Sequence, residues 1–350
     1  MALTTTCIGA YPKPDFVKLP DWFNHPDGPD TADPTALWDK AMADLGPEAD
    51  DIIARGVAQA IDDQVDCGID IPTDGEISRE NYIHYHCRHL DGFDFDKLTP
   101  KSLRQGAYTV ELPGIVGPVR AREPFLPHDW SKAQAATDKP VKVTLPGPMT
   151  VADTSVDLFY DDDRRLGRDL AAALNAEVRA LADAGCRYIQ IDEPLFARYP
   201  AKALAFGIED LDRCWHGVPG DVTKIAHMCC GYPNKLDDTD YPKADPGAYF
   251  ELAAALDRSA VDAVSIEDAH RHNDLSLLDL FARKTVILGL VTIASSRLES
   301  EEEIRERLLA ALRHLPPERL IAAPDCGLGY FTREMAMQKM TLLSRAAKSV

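Results

Sequence analysis

The run Tyr188-Ile189-Gln190-Ile191-Asp192-Glu193-Pro194 reads as a short β-branched strand that ends abruptly in two acids and a proline. An amphipathic pattern, Asp169–Ala184, precedes it and stops at Gly185, so a helix feeds a buried strand. Helix followed by strand is the repeating unit of a parallel β/α architecture. Outward from this unit the same alternation recurs. Candidate strands are Leu3–Ile8, Ile69–Thr73, Val141–Leu145, Tyr188–Ile191, Val222–Ala226, Val261–Ile266, Val286–Val291 and Leu320–Ala323, eight in all. A second clear helix, Ser300–Leu315, opens Ser-Glu-Glu-Glu, with Ser300 as N-cap ahead of first-turn acids. Eight parallel strands with crossover helices predict an α/β fold, a TIM (β/α)8 barrel, although a large open sheet shares the pattern. The Pro-rich stretch Tyr11–Pro47 (Pro12, Pro14, Pro20, Pro26, Pro29, Pro34, Pro47) breaks helical patterning after the first strand. It reads as a structured excursion within one domain spanning residues 1–350.

Composition narrows the function. The 350 residues carry 38 Lys and Arg against 57 Asp and Glu, a formal charge of −19, and no basic run breaks the acidic background. Phosphate backbones are bound by surplus cations, so nucleic acid is excluded as a partner and small molecules are expected instead. No apolar stretch reaches membrane-spanning length and no secretory signal opens the chain, which predicts a cytoplasmic protein without a membrane partner. Eight cysteines at uneven positions (7, 67, 87, 186, 214, 229, 230, 326) do not form a secreted disulfide framework. Metal binding or inert burial is the expectation.

In such barrels the chemistry sits at the carboxyl ends of the strands. There the sequence places Gly9, Asp74-Gly75-Glu76, Pro146-Gly147-Pro148, Asp192-Glu193-Pro194, His227-Met228-Cys229-Cys230-Gly231, Glu267-Asp268 and Pro324-Asp325-Cys326-Gly327, with only Thr292 after the seventh strand. His227, Cys229, Glu267 and Cys326 thus converge on one mouth as an imidazole, two thiolates and a carboxylate, a suitable tetrahedral zinc set. Cys230 alternates away from Cys229 and reads as packing. Structural zinc sites use closely spaced pairs, whereas these ligands spread from 227 to 326, which favours catalytic use.

Taken together, Thr4-Thr5-Thr6-Cys7-Ile8-Gly9-Ala10-Tyr11, Asp74-Gly75-Glu76, Leu90-Asp91-Gly92-Phe93, Gly147-Pro148-Met149-Thr150, Ile189-Gln190-Ile191-Asp192-Glu193-Pro194, His227-Met228-Cys229 and Pro324-Asp325-Cys326-Gly327-Leu328 resemble the catalytic half of cobalamin-independent methionine synthase. The resemblance runs from about Thr4 to Met340. It implies a TIM barrel whose Zn2+ is held by His227, Cys229, Glu267 and Cys326 and binds the thiol of homocysteine for attack on a methyl group. It further implies that Glu76 and Asp192 hold the amino group of the thiol substrate while the Ile8-Gly9-Ala10 backbone takes its carboxylate. Glu193 is read as fixing a neighbouring loop.

The chain departs from that family where the methyl donor is concerned. The amino-terminal half that helps bind folate has no counterpart in these residues, Thr154 stands where the family has a tryptophan, Ala10 replaces a serine, and the strand-seven Asp-Ile-His relay reads Thr292-Ile293-Ala294. A methyl on a tertiary amine needs its leaving group protonated, a general-acid contribution of about 10^2- to 10^4-fold. A donor with a better leaving group is therefore expected, such as a methylated corrinoid or corrinoid protein, or a sulfonium. Asn81-Tyr82-Ile83-His84-Tyr85-His86-Cys87-Arg88-His89 either lines a pocket, with His84 and His86 as replacement catalytic proton donors, or is an irregular capping segment. Asp161-Asp162-Asp163 and Glu301-Glu302-Glu303 read as solvated helix starts, and His270 and His272 as groups orienting ligands or simply surface.

The reading is a zinc-dependent S-methyltransferase that moves a methyl group onto a small thiol, homocysteine giving methionine. The alternative is a zinc-dependent alkyltransferase resembling the epoxyalkane:coenzyme M transferases, with Arg79 or Arg88 pairing an acidic thiol. A metal-free decarboxylase of similar barrel type, or a zinc-stabilised carrier for a corrinoid protein, would leave the thiolates or the strand-end acids idle.

Overall fold

The computed structural model describes residues 2–24, 35, 37–103, 108–231, 233, 235–238, 241–293 and 295–350. Its strands are β1 (Thr4–Thr5), β2 (Leu90–Leu103), β3 (Tyr108–Ala121), β4 (Lys142–Pro146), β5 (Val156–Asp157), β6 (Tyr188–Asp192), β7 (Thr223–Met228), β8 (Ala263–Ile266), β9 (Thr285–Gly289) and β10 (Leu320–Ala323). Seven form one parallel sheet in the order β1-β10-β9-β8-β7-β6-β4. The outer two are joined through residues 71–73, because Thr6 bridges Ile71 and Thr73 bridges Lys142, both in parallel sense. The sheet thereby closes on itself through eight staves, which removes its free edges. The eighth stave is a pair of bridges because Pro72 has no N–H to give a ladder; its carbonyl still accepts from Lys142 N at 2.9 Å.

Side chains alternate across the barrel wall with the period of two that strands impose. Val143, Leu145, Ile189, Ile191, Val264 and Ile266 belong to the large cluster packed with the surrounding helices, whereas Ile8, Ile225, Ala263, Ile287 and Ala323 form a separate small cluster inside the barrel. Gln190 and Asp192 take the interior side of β6, which is why polar residues interrupt an otherwise apolar strand.

The helix before β6 is longer than its sequence pattern. It spans Asp163–Ala184 because the Asp162 carboxylate accepts from Arg164 N and Arg165 N, and it closes at Gly185 with φ 114°. The acidic starts are caps here as expected: Ser300 and Glu303 form a capping box at Glu301–Ala311, a helix that stops short of Leu315.

One unit escaped sequence reading. β2 and β3 form an antiparallel ribbon, with β5 added alongside β3. Asp91, Asp94, Asp96, Lys97 and Lys101, with Pro100, Pro113 and Pro118, hide the alternation that marks a strand. The ribbon is held because Ile115 and Val119 bury against Val151, Leu166, Leu170 and Ala173. Of the Pro-rich excursion, the described part lies against the barrel: Lys13 Nζ donates to the Arg79 carbonyl at 2.8 Å and Trp22–Asn24 forms a short turn. Pro26, Pro29 and Pro34 lie outside the described residues. Among the described residues no helix is long and apolar enough to cross a membrane.

Candidate active site

The carboxyl end of the barrel opens into a cleft lined among others by Gly9, Glu76, Asp192, His227, Cys229 and Cys326. At its floor one ligand atom each from His227, Cys229 and Cys326 lies within 4.8 Å of the others. β7 ends beside its neighbour β8 in a register that pairs His227 with Ser265, and His227 Nδ1 sits 2.9 Å from Ser265 Oγ. That contact leaves Nε2 buried with no hydrogen-bond partner. The hydrogen bond between the two thiols pulls Cys229 well below its ordinary value and pushes Cys326 well above.

Glu267 stands just after β8 but outside this trio. Its Oε2 accepts from Cys230 N at 2.7 Å, and its Oε1 is buried without a hydrogen-bond partner. Burial first, then the charges of Cys229 and Asp325, push its carboxyl well above the usual range. Two orphaned buried ligand atoms beside two thiols fit a soft divalent cation, since unpaired buried polar groups cost about 1–3 kcal/mol each. Cys230 is not part of the set: its thiol meets Tyr249 and Arg271. His270 lies behind Glu267, with Nε2 3.3 Å from Glu267 Oε2 and Nδ1 2.7 Å from Asp325 Oδ2, the placing of a group that orients a ligand. His272 is exposed.

The two amino-acid-binding candidates face the same cleft. Glu76 sits at φ 57°, a left-handed conformation for a non-glycine residue. Its Oε1 accepts from Thr144 Oγ1 at 2.7 Å and lies 3.4 Å from Arg79 Nη1. A Cβ on Gly9 would stand 2.5 Å from that oxygen, so only glycine lets the carboxylate rest against the first strand. Asp192 ends β6, where burial pushes its carboxyl up to about 7, with the Glu76 charge adding to the rise. Buried acids that face a cleft and resist ionisation are suited to an incoming cation. Glu193 points elsewhere: it accepts from Met149 N, Thr150 N and Thr150 Oγ1, capping the helix Pro148–Asp153.

The structure does not bring His84 or His86 to the cleft. From their segment the wall takes Tyr82 and Ile83. His84 Nε2 lies 2.9 Å from the Thr154 carbonyl and His86 Nδ1 2.8 Å from the Tyr82 carbonyl, both side chains buried. Burial, reinforced by Arg79, holds His86 well below its ordinary value, and His89 stacks on Phe125 with its ring held down to about 4. The arginines are engaged as well. Arg88 pairs with Glu80 at 2.9 Å and Arg79 is buried between Asp74, Glu76 and Thr144. Thr292 donates N–H and Oγ1–H to Glu299, which pairs with Lys339, so the end of the seventh strand is a structural knot. Ala294 lies outside the described residues. Missed from sequence were Trp22, Phe23 and Arg198, which line the cleft from the irregular excursion and from a short helix. Trp22 and Phe23 pack at 4.7 Å, and Trp22 and Tyr82 at 5.2 Å, an aromatic wall with no periodic signal.

A family model described as cobalamin-independent synthase, catalytic domain, matches residues 25–349. The chain belongs to that family. It is a methyltransferase of the methionine-synthase type. The methionine synthase of Saccharolobus solfataricus is 28% identical over 353 residues, covering 99% of this chain and 95% of that protein. That of Thermococcus kodakarensis is 29% identical over 355 residues, covering 99% and 93%. Among solved structures, the B12-independent methionine synthase from Shewanella sp. W3-18-1 in complex with selenomethionine matches with a TM-score of 0.86 at 27% identity, covering 100% of this chain and 98% of that one.

Proposed function

We propose that this family member methylates the thiol of homocysteine, with Zn2+ held by His227, Cys229 and Cys326 and with Glu267 as the fourth ligand, as a single catalytic unit over residues 1–350. The observation that carries the reading is the His227–Cys229–Cys326 trio, set in the same cleft as Glu76 and Asp192. The Shewanella structure is a complex with selenomethionine, which supports an amino acid of methionine shape as the ligand of this chain as well. Bound zinc would supply a Lewis acid that keeps a coordinated thiol ionised while leaving its sulfur nucleophilic.

The chain's own residues do the rest. Glu76 and Asp192 take the substrate ammonium, which offsets the Glu76 charge that helps raise Asp192. The Ile8-Gly9-Ala10 backbone takes the carboxylate, and together these contacts aim the thiol at the trio. The aromatic wall of Trp22, Phe23 and Tyr82 excludes water from the donor side. Because Thr292 is tied to Glu299 and carries no acid, the donor we propose is one whose leaving group needs no proton, a methylated corrinoid or corrinoid protein or a sulfonium. All eight cysteines are free, which suits a reducing cytoplasm. The coenzyme M alternative loses its anion sites, since Arg79 and Arg88 are already paired.

The test is mass-spectrometric detection of methionine from zinc-loaded protein and homocysteine, with methylcobalamin or methylfolate in separate reactions. Methionine from methylcobalamin alone is expected. Methionine from methylfolate at equal rate would refute the donor assignment, and no methionine from any donor with one zinc per chain would refute the acceptor.

A further inference from the structure

Gln190 is wholly buried inside the barrel, between the two arms of the amino-acid clamp. Its Nε2 donates to Asp192 Oδ1 at 2.7 Å and to the Ile8 carbonyl at 3.1 Å. One amide thus ties the acid that faces the ammonium to the backbone segment that faces the carboxylate. The two ends of an amide have nearly the same shape and opposite hydrogen-bonding character, so a second group must dictate which end points where. That group is Lys142, whose Nζ donates to Gln190 Oε1 at 2.6 Å. An ammonium has three donors and no acceptor, so it admits only the oxygen end. With the amide reversed, an NH2 would meet the ammonium while Oε1 faced both the Asp192 carboxylate and the Ile8 carbonyl.

Lys142 is an expensive way to fill this space. Its side chain is fully buried, and taking an ammonium out of water carries a desolvation penalty that a methionine of similar length would not. β4 places it in register with Tyr188, two residues before Thr144, the register partner of Gln190, so it reaches upward to the amide from beneath. Thr144 in turn donates to Glu76, so β4 supports both acids, one through a hydroxyl and one through the lysine and the amide.

We propose that Lys142 is a positioning residue: by fixing the Gln190 amide it holds Asp192 and the Ile8-Gly9-Ala10 backbone at one spacing, and so sets the preference for thiols that carry an α-ammonium beside the carboxylate. The inference rests on the assignment of Asp192 and Ile8–Ala10 to the amino-acid clamp. Lys142 touches neither the substrate nor the trio; it acts through Gln190.

The experiment measures calorimetric dissociation constants of zinc-loaded enzyme for L-homocysteine and for 4-mercaptobutanoate, the same thiol acid without the amine, so that no methyl donor is needed. Lys142→Met is expected to weaken homocysteine at least tenfold and 4-mercaptobutanoate less than twofold, with zinc content unchanged. Gln190→Glu keeps Lys142 paired, which protects folding, yet turns an oxygen toward Asp192; it should lose the same tenfold preference. Asp192→Asn is the reference, and adding Lys142→Met to it should change the preference no further. Full homocysteine preference in both Lys142→Met and Gln190→Glu, with the preference lost in Asp192→Asn, overturns the role of Lys142 and leaves the clamp intact. An unchanged preference in Asp192→Asn overturns the clamp, and the proposal with it. A merely structural lysine would weaken both ligands alike.

Discussion

Asp325 is the anchor of the loop that carries Glu267, and its replacement by asparagine has a calculable cost. Oδ1 accepts from Asp268 N and Ala269 N, each at 2.9 Å, and Oδ2 accepts from His270 N at 2.9 Å and pairs with His270 Nδ1 at 2.7 Å. Asparagine keeps one oxygen for the first two bonds, but its NH2 then faces the His270 backbone N–H, donor against donor. The ring can change tautomer and accept; the backbone cannot. One buried N–H loses its acceptor, about 1–3 kcal/mol, and the two remaining backbone bonds lose their charge assistance, about 1 kcal/mol each. The sum is about 4 kcal/mol. An unfolding entropy of about 2.1 cal/mol/K per residue, over 350 residues, converts this to a Tm drop of about 5 °C, read by calorimetry on chelator-treated protein. The pH dependence has a defined sign. Burial opposes ionisation of Asp325, but His270 and the backbone N–H groups win and hold its carboxyl below the usual range. Its contribution is therefore present above the ordinary carboxylate range and lost as pH falls through the folded value, so the gap between wild type and Asp325→Asn is full at neutral pH and shrinks below about pH 4. A Tm drop under about 1 °C at pH 7, or a gap that widens in acid, would refute the reasoning. Zinc affinity of the variant should fall about 10- to 100-fold, because Glu267 loses the His270 support behind it.

Further outcomes follow from the same geometry. Cys229→Ser or Cys326→Ser should lower bound zinc, measured by elemental mass spectrometry, at least tenfold from one per chain with an unchanged far-UV spectrum; retained zinc in both would remove the metal assignment. His84→Gln and His86→Gln should each leave kcat within about twofold while lowering Tm, because neither ring lines the cleft, and a loss of about 100-fold or more would return them to the chemistry. Glu177 is pushed up to about 7 by burial, against two backbone N–H bonds from Phe125 and Leu126, so its contribution is present below the ordinary glutamate value and lost as pH rises to about 7. The Tm of Glu177→Gln relative to wild type should therefore rise between about pH 4.5 and 7; a flat difference would show that the native carboxyl is not perturbed.

The sequence by itself determined the barrel and the end of it at which the candidate site lies. Period-two alternation and strand-end polarity are local properties, so the staves around Ile189-Gln190-Ile191, the acids Glu76 and Asp192, and the set His227, Cys229 and Cys326 were legible one strand at a time. The ribbon of β2 and β3 was not, because its charged and proline-bearing residues have no pattern of their own and are held by packing on Leu166 and Leu170. Direction was equally invisible. His84 and His86 have the right chemistry near the right strand, yet a single helical turn, His84–Cys87, directs both rings into packing. Trp22 and Phe23 reach the cleft only because Lys13 and its neighbours fold an aperiodic segment back onto the Glu76 loop. Tertiary structure alone decided that Lys142, Gln190, Asp192 and Ile8, scattered over some 185 residues, form one hydrogen-bonded column, since closure of a barrel brings first and middle strands together at a distance no sequence pattern encodes.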